Sequence, residues 1–246
     1  MGAMVLACSP KANQAEAADG EVVKTSKDCE PSKALVDSVS YLLGINFGST
    51  IKGYDFGNIN YAQLEKGIKD FVNAKGNYND PSFVEQFKIN PETMGEIINR
   101  YLGERHQYTS LLNKEAGEKF LSENKKKEGV VETESGLQYR ILAAGNDVHA
   151  SAVDTIWVRY EGKTLEGEVF DKVGEEDEPA SFTLAGVIPG WTEGMQLVGE
   201  GGEIELYVPA ELAYGERGMQ AIKPNSTLIF DVKVVKVGKL VETAEE

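Results

Sequence analysis

Hydrophobic residues recur at helical spacing in the first half of the chain and alternate with polar residues in the second half. Helical spacing begins after Pro31, and the glycines between Gly44 and Gly57 are expected to interrupt it. A second helix is predicted to begin at Asn60, a favoured N-cap residue. The apolar faces of these two helices comprise Leu35, Val39, Leu42, Leu43, Leu64, Ile68 and Phe71. Because two short amphipathic helices cannot enclose a core alone, we expect them to pair with a second copy of the chain.

A much longer helix is predicted from Pro91 to Lys127. Asn90 and Pro91 form a strong start signal, because an N-cap residue is followed by proline at the first helical position. The apolar stripe, which begins at Met94 and ends near Leu112, occupies only the first half, so the polar second half is expected to be solvated. A helix of this length would extend about 50 Å. Its length favours an arm that holds two bodies apart.

The pattern changes at Gly129, after which β-rich runs are bounded by glycine turns. These runs cover residues 137–142, 153–160, 204–208 and 228–237. Pro189-Gly190 breaks the chain, and a short helix is predicted from Trp191 to Val198. We therefore predict an α+β protein, with a C-terminal twisted antiparallel β-sheet wrapped around a short helix. An all-α dimerisation region and a long connecting helix precede it. The predicted division is a tether over 1–30, a helical dimerisation domain over 31–90, a connecting helix over 91–128 and a β domain over 129–246.

Composition and charge exclude several classes of function. The chain has 246 residues and a formal net charge of −15, which argues against binding to nucleic acid or to anionic lipid. No run approaches the roughly 18 apolar residues that a membrane span needs. The two histidines, His106 and His149, are far apart, and the cysteines match no metal spacing. We expect no metal, no cofactor and no nucleophilic triad.

The N-terminal segment suggests export. Val5 to Cys8 resembles a bacterial lipobox, in which the cysteine becomes the lipidated first residue, and Met1 to Met4 are interpreted as a cloning remnant joined to a trimmed export signal. A chance four-residue match is the alternative. From Ser9 to about Glu30 the chain is too polar to order itself and is predicted to be a flexible tether. Cys29, at its end, is either a free thiol or half of an intermolecular disulfide.

The β domain carries motifs whose order and spacing resemble the FKBP-type peptidyl-prolyl isomerases. These motifs are Tyr160, Val169-Phe170-Asp171, Val187 to Trp191, Tyr207 to Gly215, and Thr227 to Val232. The helical region, with Gly117 to Asn124, Gly129-Val130-Val131 and Ser135 to Tyr139, is similar to the bacterial macrophage-infectivity-potentiator subfamily. Members of that subfamily are exported, dimerise through N-terminal helices and hold two isomerase domains apart on long helices. The resemblance therefore implies an exported, dimeric prolyl isomerase.

The resemblance also implies an apolar pocket and a role for each residue around it. Trp191 would be the floor, Tyr214 would donate a hydrogen bond to a substrate carbonyl, and Asp171 would lie at the rim. Ile222 would lie in the loop over the pocket. The implied catalytic residues are Tyr160, Phe170, Asp171, Trp191, Tyr214 and Phe230, and the implied substrate-binding residues are Phe182, Val187, Ile188 and Ile222.

Two departures from the family pattern border the implied pocket. Relatives often place a basic residue after the Phe-Asp pair, whereas this chain has Glu175, Glu176 and Asp177 in that region. Asp171 then depends on Lys172, Arg217 or Tyr160, or is held less firmly. The segment before Ile222 also lacks the Gly-Pro element of many relatives. Because both departures border the substrate groove, sequence preference and macrolide affinity are the properties that they are expected to affect.

The residue types suit prolyl isomerisation independently of the resemblance. Rotation about an X–Pro bond breaks amide resonance without covalent chemistry, so no nucleophile or metal is required. The twisted amide is less charge-separated than the planar one, and an apolar pocket therefore favours it. We expect an isomerase that assists the folding of exported, proline-containing clients in the periplasm or at the outer membrane, with chaperone activity in a dimeric cleft. The alternatives are a non-catalytic FKBP-like client-binding chaperone and a surface lipoprotein.

Overall fold

The computed structural model divides into two units, of which the first ends at Gly76 and contains two α-helices among its described residues. The structure describes Ser26, residues 30–219 and residues 221–240, so the predicted tether and lipobox, with Cys8 and Cys29, lie outside the described residues. Helix α1 spans Lys33–Gly53 and helix α2 spans Tyr61–Asn73. The predicted start of α2 is confirmed, because the Asn60 side chain accepts a hydrogen bond from the Gln63 N–H.

Helix α1 continues through the glycines that were expected to interrupt it. The prediction of a break at Gly44 is wrong, since the helix runs on through Gly44 and Gly48 to Gly53. A glycine inside a helix costs only about 1 kcal/mol relative to alanine, which does not stop a long helix. The apolar side chains of α1 are about half exposed, with values of 51% for Leu35 and 61% for Leu42. Neither helix has a buried residue, so among the described residues of this unit these side chains have no core to enter.

The long helix of the second unit, α3, spans Met94–Asn124 after a 3-10 turn at Pro91–Thr93. Asn90 caps that turn, because its side chain accepts a hydrogen bond from the Glu92 N–H. The expectation that the second half of α3 is solvated is wrong. Its polar residues contact the β-sheet instead: the Asn124 amide donates to Gln138 Oε1 at 3.1 Å, and Gln138 Nε2 donates to the Leu121 carbonyl at 2.9 Å.

Seven strands form one antiparallel sheet that follows α3. They are β1 Val131–Glu132, β2 Gln138–Ala143, β3 Thr155–Thr164, β4 Val169–Val173, β5 Ala180–Thr183, β6 Glu203–Val208 and β7 Leu228–Gly238. The strand order is β1-β2-β6-β7-β3-β4, and β5 pairs with the first half of β3. Buried and half-buried residues alternate along β3 and β7, as the sequence pattern predicts for strands with one face on a core. The predicted α+β class is confirmed.

Helix α4, Pro189–Gly194, packs on the inner face of the sheet. It is shorter than the predicted helix from Trp191 to Val198, although Trp191, Met195 and Val198 are all buried as their spacing predicts. Its glycines allow close packing on β6. A Cβ atom at Gly190 would lie 2.5 Å from Val208 Cγ1, and a Cβ atom at Gly194 would lie 2.6 Å from Leu206 Cδ2. The helix backbone therefore rests directly on the strand and fixes the depth of Trp191.

Among the helices of residues 30–219 and 221–240, none combines the length and the apolar character that crossing a membrane requires.

Candidate active site

Trp191 lies at the bottom of an aromatic cluster. Its indole is 4% exposed and has three aromatic neighbours with ring centroids 5.1–5.6 Å away: Tyr160, Phe182 and Phe230. All three rings stand nearly perpendicular to the indole, at 87°, 86° and 79°. Edge-to-face contacts of this kind are preferred by aromatic rings and define their orientation. The result is a floor with three upright walls.

Phe170, on β4, extends the wall formed by Phe230. The two ring centroids are 5.7 Å apart and the rings are nearly perpendicular. Gly162, on β3, makes this arrangement possible, because a Cβ atom there would lie 2.7 Å from Phe170 Cζ and 2.9 Å from Phe230 Cε1. No real Cβ atom tolerates such distances from a ring. A glycine inside a strand marks a close approach of this kind, so Gly162 could have been found in the sequence as a glycine within a β-rich segment, although it lies outside the family motifs.

Asp171 is held by the hydroxyl of Tyr160. Tyr160 donates a 2.5 Å hydrogen bond to Asp171 Oδ2, and the Lys172 backbone N–H donates to Asp171 Oδ1 at 2.9 Å. Of the three side chains considered from sequence as partners for Asp171, Tyr160 is the one that bonds to it. Burial of the Tyr160 hydroxyl, with the negative Asp171 beside it, raises the pKa of Tyr160 well above its ordinary value. The hydroxyl therefore stays protonated and keeps its place as a donor.

The basic and acidic residues around Asp171 are engaged elsewhere. The Lys172 ammonium binds Glu161 Oε2 at 2.6 Å on β3. The acidic loop is the segment that contains Glu175, Glu176 and Asp177. Arg159 binds its backbone, since the guanidinium donates to the carbonyls of Gly174 and Asp177 at 3.1 and 2.9 Å. The acidic loop is thus tied down through its carbonyl groups.

The remaining predicted residues surround the same cluster. Val187, Ile188 and Tyr214 are half-buried and pack against the core that contains Trp191. Burial raises the pKa of Tyr214, and the charge of Asp171 adds to the effect. Ile222 is 6% exposed and belongs to the same core. The structure therefore brings all ten predicted pocket residues into one region of the β domain.

The arrangement suits an uncharged, apolar ligand with a hydrogen-bond acceptor. Aromatic and aliphatic side chains form the floor and walls, while Tyr214 offers a hydroxyl and Asp171 a carboxylate at the rim. Among the described residues, no group of three or more His, Cys, Asp or Glu side chains is placed to hold a metal ion. The chemistry available here is desolvation and hydrogen bonding rather than proton transfer or nucleophilic attack.

A groove of about 310 Å³ lies on the face of the sheet that carries Arg159, Glu161 and Lys233. Its charged side chains already neutralise one another: Lys172 binds Glu161, and Lys233 binds Glu203 at 3.1 Å. Its lining holds a single aromatic residue, Tyr160, whose hydroxyl is already bonded to Asp171. We therefore place the candidate site at Trp191.

Two family models match this chain. A model described as FKBP-type peptidyl-prolyl cis-trans isomerase matches residues 146–235, which include the whole pocket. A model described as the domain amino terminal to FKBP-type peptidyl-prolyl isomerase matches residues 36–141. Together they cover both the helical region and the β domain.

Similar proteins and a solved structure come from several bacteria. The chain is 38% identical over 211 residues to a probable FKBP-type peptidyl-prolyl cis-trans isomerase FkpA of Neisseria meningitidis, covering 82% of this chain and 75% of that protein. It is 36% identical to the outer membrane protein MIP of Legionella longbeachae, covering 82% and 86%. The crystal structure of FkpA from Escherichia coli superposes with a TM-score of 0.67 at 30% identity, covering 84% of this chain and 97% of that one.

Proposed function

The chain belongs to the FKBP-type peptidyl-prolyl cis-trans isomerase family and is an enzyme of that class, and from this premise we propose that the pocket around Trp191 is its active site. One observation carries the assignment: three aromatic rings stand nearly perpendicular around the Trp191 indole, at centroid distances of 5.1–5.6 Å. A prolyl ring is a compact apolar group that aromatic surroundings of this kind favour. The substrate class is a polypeptide with an X–Pro bond.

The pocket would accelerate isomerisation by removing water from the amide. The uncatalysed barrier of about 18–20 kcal/mol arises mainly from the loss of amide resonance. The planar amide is more charge-separated than the twisted amide, so transfer into apolar surroundings disfavours the planar state relative to the transition state. Each 1.4 kcal/mol or so of this difference raises the rate about tenfold. Aromatic walls of Phe170, Phe182 and Phe230 are suited to this effect.

Tyr214 and Asp171 would orient the substrate. The half-buried Tyr214 hydroxyl remains protonated and is proposed to donate a hydrogen bond to a substrate carbonyl. Tyr160 fixes Asp171 at the rim, where its carboxylate faces the charge distribution of the twisting amide. Val187, Ile188 and Ile222 would complete the binding surface for the proline ring and its neighbours. Macrolide inhibitors are expected to enter the same apolar pocket.

Isomerisation of a proline-containing tetrapeptide tests the assignment. Trp191→Leu and Asp171→Ala should each lower kcat/KM by about tenfold or more, as expected for lost transition-state interactions of about 1.4 kcal/mol. Trp157→Phe is the matched control, because Trp157 lies on the other side of β3 beneath the Lys236 ammonium. A Trp191→Leu protein that folds and retains full activity would remove the pocket from consideration.

We further propose that the protein acts as an exported homodimer. The supporting observation is α1, whose apolar face at Leu35, Val39, Leu42 and Leu43 remains 49–61% exposed. Burying such a face in a second copy would remove it from water. Sedimentation of the full chain should show a dimer, and Leu42→Glu with Leu43→Glu should yield monomers. Gly48→Glu is the control, because Gly48 lies six residues after Leu42 on α1 and therefore on the opposite face of the helix.

Assistance to folding in the bacterial envelope follows from the dimer and the isomerase together. One relative is named an outer membrane protein, which supports a location in the periplasm or at the outer membrane, with lipidation proposed at Cys8. Chaperone activity in the dimeric cleft predicts that the monomeric double variant of α1 loses suppression of client aggregation but still isomerises peptides. If the monomeric variant suppresses client aggregation as well as the dimer does, the dimeric cleft is not where chaperone activity resides.

A further inference from the structure

The second half of α3 is bonded to the loop that carries Ile222. Asn113 Nδ2 donates a 2.8 Å hydrogen bond to the Pro224 carbonyl, and Ser110 Oγ accepts a 2.8 Å hydrogen bond from Asn225 Nδ2. Ser110 and Asn113 lie one turn apart on the same face of the helix. The helix is therefore hydrogen-bonded to two consecutive residues of this loop, through two separate side chains.

Asn225 connects its own loop both to α3 and to the turn at Gly215. Its side chain binds α3, whereas its backbone N–H donates to the Gly215 carbonyl at 2.8 Å, immediately after Tyr214. Its backbone has φ +53°, a left-handed conformation that asparagine adopts more readily than most residues. The helix is thus connected through one residue to the turn that carries the proposed substrate donor.

Ile222 precedes this connection by three residues. It is held in a tight turn in which its N–H and carbonyl pair with the carbonyl and N–H of Met219 at 2.7 and 2.9 Å. Downstream, Thr227 is buried against α3, where a Cβ atom at Gly117 would lie 2.3 Å from Thr227 Oγ1. Glycine at 117 lets the helix and the loop come this close. Contacts with α3 therefore hold the loop just beyond the residue that lies over the pocket.

We propose that Ser110, Asn113 and Asn225 are positioning residues for the isomerase, through which α3 sets the placement of Tyr214 and Ile222. The inference rests on the proposed active site, and none of the three residues touches the substrate. Loss of these hydrogen bonds would leave the loop correctly placed in only a fraction of molecules. Since apparent affinity falls by that fraction while the bound pocket is unchanged, KM should rise and kcat should stay constant.

The test uses full-length variants and a proline-containing tetrapeptide. Ser110→Ala and Asn113→Ala should each raise KM about three- to tenfold, as expected for one lost hydrogen bond, with kcat within about twofold of the starting protein. Glu115→Ala is the matched control, because Glu115 is exposed on the same helix turn and its replacement should change neither constant. Ser110→Thr retains the hydroxyl and should retain the original KM.

Asn225→Gly supplies an independent check, because glycine accepts the positive φ and retains the backbone N–H to Gly215. Ser110→Ala and Asn225→Gly remove the same hydrogen bond, so the double variant should show no greater rise in KM than either single one. Unchanged KM in both variants would overturn the proposal, as would a fall in kcat that parallels a loss of thermal stability. Failure of the active-site assignment is distinguishable, since Trp191→Leu would then remain fully active.

Discussion

The Tyr160 hydroxyl and the Asp171 carboxylate are joined by a 2.5 Å hydrogen bond between neighbouring strands β3 and β4. The same Tyr160 ring stands 5.1 Å from the Trp191 indole, centroid to centroid. One side chain therefore forms a wall of the pocket and fixes the carboxylate at its rim. Because the ring has one role and the hydroxyl has the other, a substitution that removes only the hydroxyl tests the second role by itself.

Tyr160→Phe should retain the wall and release Asp171. A hydrogen bond to a charged group contributes about 1.5–3 kcal/mol, and part of that will appear as a loss of about tenfold in kcat/KM. Tyr207→Phe is a matched control, because the Tyr207 hydroxyl makes the same kind of bond to Glu205 Oε2, at 2.7 Å, away from the pocket. Peptide isomerisation by the two purified variants decides the matter. Equal activities would show that the Tyr160 bond is only structural.

The pH profile should lack any loss from the pocket tyrosines in the neutral and mildly alkaline range. The pKa of both Tyr160 and Tyr214 is raised above the ordinary value, so both hydroxyls remain protonated donors up to at least about pH 10. kcat/KM should therefore stay flat between about pH 7 and pH 9. A decrease centred below about pH 9 that disappears in Tyr214→Phe would contradict the raised pKa of that hydroxyl.

Gly162→Ala should disrupt the pocket from behind its walls. The added methyl group would lie within 3 Å of both Phe170 and Phe230, and overpacking of this kind typically costs about 1–3 kcal/mol. We expect a lower melting temperature and at least about a tenfold loss in kcat/KM, because both rings must move. Gly103→Ala is the control: a Cβ atom there meets nothing within 4 Å, and the α3 variant should be slightly more stable and fully active. Wild-type activity in Gly162→Ala would show that the rings are free to shift.

Much of the β domain could be predicted because its signals are local. Alternating residues located β6 and β7, a β-rich run between turn residues located β3, and the spacing of Trp191, Met195 and Val198 located a buried helical face. The strands β4 and β5 were not predicted, since five and four residues are too few for a periodic pattern to stand out. The partner of Asp171 remained open for a related reason, because three candidate side chains lay at suitable positions and only the fold chooses between them.

The packing of α3 could not be predicted from periodicity. The face of α3 that meets the β domain contains Ser110, Asn113, Gly117 and Asn124, which are polar or small and look like a solvated surface in sequence, with Phe120 as the apolar exception. Their partners, such as Gln138, are also polar, and hydrogen bonds between polar side chains leave no hydrophobic pattern. The break expected at Gly44 was wrong for a different reason. Local propensity indicated an interruption, whereas cooperative helix formation carried α1 through it.

Asp154 should make the β domain sensitive to acid. Its carboxylate is 2% exposed, and it accepts hydrogen bonds from the Ser151 and Leu240 backbone N–H groups at 2.7 and 2.8 Å and from the Lys239 ammonium at 3.0 Å. These donors favour the charged form and hold the pKa of Asp154 well below its ordinary value. Because the folded-state pKa is depressed, the carboxylate stabilises the fold fully above the unfolded pKa of about 4, and this contribution is lost as the pH falls below that value.

Asp154→Asn should therefore lower the free energy of unfolding at neutral pH by about 1–3 kcal/mol, since an amide cannot accept all three hydrogen bonds. The difference from the starting protein should shrink as the pH is lowered below about 4, because protonation removes the same charge from the native carboxylate. Urea unfolding across that range measures both effects. Asp37→Asn is the control, since Asp37 is an exposed partner of Lys33 on α1 and its replacement should change stability little. A stability difference for Asp154→Asn that is constant with pH would show that the carboxylate acts through packing and not through its charge.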